Sequence, residues 1–172
     1  MAEEQSKSAR PADPVGRVLH FLSYILVLAG GFLISGVTVM TVVSVTGRYL
    51  FNAPIQGDYE LVTMGTAITV FLFLPYCHLQ RGNVVVDLFL SWAPRRVQSF
   101  FDVLSGLLLA ATAAGLSWRM VHGGFDMREY GEVSYILALP VWPVFPFAVA
   151  ALALLSAACL YTAYRDLRET MQ

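Results

Sequence analysis

Four long stretches without a single Asp, Glu, Lys or Arg constrain this chain more than any other feature. They run from Val18 to Gly47, Leu61 to Gln80, Val103 to Trp118 and Val133 to Tyr164. A bilayer core about 30 Å thick takes roughly 20 apolar residues per helix, and every backbone polar group within it must be bonded internally. Stretches of this length and character predict membrane-crossing helices. The third is short and stops at Arg119, so that side chain is expected to snorkel to the membrane edge and complete a span over 103–121. Pro140, Pro143 and Pro146 punctuate the start of the fourth, which places its span at 144–164. The other two spans are taken as 18–47 and 61–80.

Composition agrees with this reading. Apolar residues make up 57% of the 172 and charged residues only 13%, against about 25% charged in an ordinary soluble domain. The chain has about half the charge needed to cover a soluble globule. Its formal net charge of −1 supplies no basic field for a phosphate backbone, so no nucleic-acid partner is expected. The expected fold class is an all-α integral membrane protein of four transmembrane helices, with the lipid bilayer itself as a partner.

Residues 1–17 form a polar leader that is expected to be disordered. The apolar run behind it is about twice as long as the core of a secretory signal, and acids (Glu3, Glu4, Asp13) precede it, so it reads as a retained helix. Residues 18–164 then make one transmembrane domain and 165–172 a short tail. Basic residues gather on one side of the membrane, at Lys7, Arg10, Arg17, Arg81, Arg95, Arg96, Arg165 and Arg168. That bias predicts cytoplasmic N- and C-termini. The opposite loops collect acids: Asp58 and Glu60 in the first, Asp126, Glu129 and Glu132 in the second.

Between spans two and three lies an apolar stretch, Val84 to Trp92, broken by Asp87 and bounded by Arg81 before it and Arg95 and Arg96 after it. It is too short to cross and too apolar for water, so an amphipathic segment lying in the interface is expected, with Trp92 at headgroup depth. It serves either as a lipid-facing anchor or as an element packed on a partner. The corner between spans one and two contains the turn formers Asn52, Pro54 and Gly57. Arg48 and Glu60 flank it, either as an ion pair pinning two helix ends or as two solvated charges worth little.

Chemistry is sparse. Ionisable groups inside a membrane mark ion paths and proton relays, and none of the four spans has an internal one, which argues against autonomous proton-coupled transport. Cys77 and Cys159 belong to no metal-ligand or redox spacing, and no nucleophile motif or phosphate loop occurs, so neither an enzyme nor a cofactor is expected. The alternative reading is a haem-binding membrane anchor using His20 and His78, which both fall near the cytoplasmic edge. What the spans do offer is small residues at helical spacing: Ala110 with Ala114, Ala111 with Gly115, and Ala150, Ala153 and Ala157, with Gly30, Gly31 and Gly36 in span one. Such stripes let helix backbones approach, and packing within the four-helix unit is the expected use of most of them.

The run Gly47-Arg-Tyr-Leu-Phe-Asn-Ala-Pro-Ile-Gln-Gly-Asp-Tyr-Glu-Leu-Val62 resembles the signature corner of the small membrane subunit of TRAP transporters, the DctQ-like family. Arg81, then Val84-Val-Val-Asp-Leu88, then Ala93-Pro-Arg-Arg96 follow in the order and spacing of that family, and the likeness extends from about Leu19 to Tyr164. Gly57 departs from it, since many members show Trp there. The resemblance implies a small permease subunit in the bacterial inner membrane. It also implies two partners: a DctP-like periplasmic solute-binding protein that captures an organic acid, and a large DctM-like membrane subunit that moves it on the sodium gradient. In that division of labour the small subunit is a non-catalytic scaffold.

Overall fold

The computed structural model describes residues 14–53, 55–80 and 95–170. These form four helices, α1 (Pro14–Phe51), α2 (Asp58–Leu79), α3 (Arg95–Glu129) and α4 (Val144–Thr170). All four contain a stretch long and apolar enough to cross a membrane, and no strand occurs among the described residues. The interfacial segment expected over Val84 to Trp92, with Arg81 and Asp87, lies outside the described residues. So does the leader as far as residue 13.

The helices outrun the apolar stretches that seed them. At 1.5 Å per residue, α1 is about 57 Å long and α3 about 52 Å, both well beyond a hydrocarbon core of about 30 Å. Proline at the first position of α1 suits a helix start, where its missing N–H costs nothing. The α3 helix continues past Arg119 to Glu129, so Asp126 and Glu129 sit on its last turns and not in a loop. Pro146 is tolerated because it falls in the first turn of α4.

The helices pack as an open row in the order α1, α2, α4, α3, not as a closed bundle. The hub is α4, a third of whose apolar window is buried, against 6% of that of α1. Ala148, Ala151, Leu152, Leu155, Ala158, Cys159 and Ala163 supply its buried surface. Ala110, Ala113, Leu152, Leu155 and Cys159 form one core between α3 and α4, with Phe71 of α2 against it. The hydroxyls of Ser117 and Ser156 donate across that interface to the carbonyls of Val149 (3.3 Å) and Ala110 (3.1 Å), bonds that hold transmembrane helices in register. At the end nearest the termini, Leu19, Leu79 and Ala158 join α1, α2 and α4.

A single narrow seam holds α1. Its buried Gly16, Ser23, Gly30 and Ser44 lie at multiples of seven residues, the repeat that keeps one stripe facing a neighbouring helix. Gly30 admits the ring of Phe73, and Val37 fills the space over Gly65. The small-residue stripes expected to pack internally divide differently from the expectation. Ala110 and Gly30 are buried, but Ala111, Ala114, Gly115, Ala150, Ala153 and Ala157 are exposed, and no atom lies within 4 Å of where a Cβ on Gly31, Gly36 or Gly115 would stand. On α4 the buried alanines are Ala148, Ala151, Ala158 and Ala163. Small residues line more than one face of these helices, so spacing alone does not select the packed one.

Candidate functional site

Carboxylate hydrogen bonds between elements gather at the loop end of the row, away from the termini. There α1 closes on itself: Asn52 takes a left-handed conformation (φ 52), which Asn tolerates, and the Ala53 N–H returns to the Gly47 carbonyl at 3.2 Å. A Cβ on Gly47 would stand 2.9 Å from the Ala53 carbonyl oxygen, so the returning chain requires glycine there. Gly57 (φ 75) then starts α2, its carbonyl accepting from the N–H groups of Glu60 and Leu61.

Two carboxylates fix this corner, each in its own way. Asp58 Oδ1 accepts the Tyr59 N–H at 2.8 Å, and its Oδ2 accepts the Ser44 hydroxyl at 2.6 Å. Ser44 is fully buried and also accepts the Ile55 N–H at 3.3 Å, so one hydroxyl ties α1 to both the connection and the start of α2. An acid in the first turn of a helix further suits the helix dipole. The Arg48 guanidinium lies 3.5 Å from Asp58 Oδ2. The pairing of Arg48 with Glu60 is therefore corrected: the salt bridge goes to Asp58, and the Arg48 side chain stays 60% exposed.

Glu60 reaches instead to the α3–α4 loop. Its carboxylate accepts the Ser134 hydroxyl at 2.6 Å and the N–H groups of Ile136 at 2.8 Å and Leu137 at 3.0 Å. That loop is braced within itself, by a bridge between Val133 and Pro140 and by the Ser134 N–H on the Leu139 carbonyl at 2.8 Å. Leu137 lies over Gly57, where an added Cβ would meet its Cγ at 2.3 Å. Through Glu60 and Gly57 the α1–α2 corner and the α3–α4 loop are one locked unit.

Of the corner residues expected from sequence, Arg48, Asn52 and Glu60 lie in this unit, and Pro54 lies outside the described residues. Trp92 lies outside them too, whereas Arg95 and Arg96 begin α3. Asp126, Glu129 and Glu132 are exposed at the same loop end. Sequence reasoning missed Ser44, Ser134 and Leu137, and noted Asp58 only as an acid of the first loop. Ser44 could have been found from its place one turn before Arg48; the two loop residues carried no local signal. At the other end, His78 Nε2 lies 3.0 Å from the Thr162 hydroxyl, which engages that nitrogen.

A row of four helices, each with a stretch long and apolar enough to cross a membrane, defines a multi-pass membrane component. The family model for the DctQ component of tripartite ATP-independent periplasmic transporters matches residues 37–169. The chain belongs to that family, and is thereby a small permease subunit of a transporter with further membrane and periplasmic components. Comparisons with curated proteins and with solved structures give no match.

Proposed function

We propose that this subunit is a non-catalytic scaffold in the bacterial inner membrane, with both termini cytoplasmic, that braces a large DctM-like subunit during sodium-driven uptake of an organic acid. A DctP-like periplasmic binding protein delivers the acid. Family membership supports the partnership. The observation that carries the scaffold role is the use of Asp58 and Glu60: both carboxylates are committed to hydrogen bonds that join loops, which leaves neither as a coupling group. The spans add apolar seams and no carboxylate that could carry a proton or sodium ion between leaflets.

The exposed acids Asp126, Glu129 and Glu132, at the loop end, are the proposed contact for the binding protein. Arg81, Asp87, Trp92, Arg95 and Arg96 are the proposed interfacial belt on the cytoplasmic side. Uptake of a labelled organic acid into proteoliposomes under an inward sodium gradient tests the role. Uptake should require this chain, the large subunit and the binding protein together. Transport by this chain alone, or undiminished transport without it, would refute the scaffold reading.

A further inference from the structure

Besides the locked corner, the loop end holds a groove between α3 and α4. The two helices close on one another at Gly124, where an added Cβ would stand 3.0 Å from that of Phe145. Alongside this contact lies a space of about 230 Å³, walled by Met120, Val121 and Phe125 of α3 and by Phe145, Pro146 and Val149 of α4. From Met120 to Arg128 it follows α3 for about 12 Å. Its walls carry no acid, amide or hydroxyl, and its one charged group, Arg128, stands with Trp142 at the outer end. The groove therefore changes character along its length. Phe145 and Val149 lie within the apolar stretch of α4, which begins at Val144, whereas Trp142 precedes that stretch and Arg128 falls in the last turn of α3.

Arg128 is poised for an anion. Its guanidinium lies over the Trp142 ring, 5.3 Å from the centroid, a contact that fixes the cation without neutralising it. Asp126, Glu129 and Glu132 are close in sequence, yet among the described residues no carboxylate lies within ion-pairing distance of Arg128 and no hydrogen bond uses its N–H groups. Arginine presents five such donors in a planar fork that matches phosphate.

Size and polarity narrow the ligand. A pocket that encloses a whole small molecule has about 300–1,000 Å³ and a few convergent polar groups, so this groove takes only part of its ligand, and an apolar part. A transmembrane helix fills roughly 1,000 Å³ over the same 12 Å and would ride above the groove without filling it. A hydrocarbon chain needs no polar partner, and a lipid carries its phosphate at the level where Arg128 stands.

We propose that this groove is a phospholipid site in the leaflet on the loop side: one acyl chain lies along Val121, Phe145 and Val149, and the phosphate accepts hydrogen bonds from the Arg128 guanidinium. The test is native mass spectrometry of the full-length chain titrated with phosphatidylglycerol, for wild type, Arg128→Gln and Val121→Trp. Wild type should retain one lipid molecule. Each variant should bind it at least about tenfold more weakly, the first by losing charge-assisted hydrogen bonds and the second by filling the groove. Both side chains are exposed, so the lipid-free variants should melt as wild type does. Diacylglycerol with the same chains should also bind wild type at least about tenfold more weakly, and inorganic phosphate should not displace the phospholipid. Undiminished binding by either variant, or of diacylglycerol, overturns the proposal, as does displacement by inorganic phosphate, which would mark a free-anion site. In the assembled transporter the lipid should stay bound; its release on addition of the large subunit would assign the groove to a protein partner instead.

Discussion

Gly57→Ala tests the lock between the two loops at its tightest point. The substitution has two separable costs. Gly57 has φ 75, and holding an L-residue in the left-handed region costs about 1–2 kcal/mol. The new Cβ would also stand 2.3, 2.5 and 3.0 Å from Cγ, Cδ1 and Cδ2 of Leu137. Because the nearest atom is the branch point, no rotation of the Leu137 tip relieves the clash, and forced overpacking costs about 1–3 kcal/mol. Together they predict a loss of about 2–5 kcal/mol, measured by reversible unfolding of the purified chain in mixed micelles. Leu137→Ala should remove the steric part alone, so the double variant Gly57→Ala/Leu137→Ala should show a favourable coupling of about 1–3 kcal/mol and keep the backbone cost. A Gly57→Ala variant within about 0.5 kcal/mol of wild type, or a coupling of zero, would refute the reasoning.

Two further outcomes follow from the geometry. Glu60→Ala should speed hydrogen exchange at the Ile136 and Leu137 amides by at least about tenfold, because those groups lose their acceptor, whereas Arg48→Ala should leave both rates unchanged; equal effects of the two variants would restore the Arg48–Glu60 pairing. Ala158→Leu, at a position with no exposed surface, should destabilise the isolated chain by about 1–3 kcal/mol, while Ala157→Leu on the exposed face should cost less than about 0.5 kcal/mol. Comparable losses in unfolding experiments would contradict the register assigned to α4.

The amino-acid sequence by itself determined that this chain crosses a membrane with four helices. A bilayer obliges each segment to satisfy its own backbone, so the decisive interactions are local and appear as uninterrupted apolar runs. It also determined much of the first corner, since Gly47 and Asn52 answer to the path of their own backbone. Tertiary structure alone decided the rest. Lipid is as apolar as the side chains it surrounds, so hydrophobicity does not separate the packed face of a helix from the open one. Hence Ala148, Ala151 and Ala158 turn inward while Ala150, Ala153 and Ala157 do not. The partners of the charges were equally hidden. Asp58 lies two residues from Glu60, yet one bonds back to α1 and the other across to a loop more than seventy residues away. A carboxylate goes to whichever unsatisfied donors the fold brings within reach, and only the packing of α2 between its neighbours brought Ser134, Ile136 and Leu137 to Glu60.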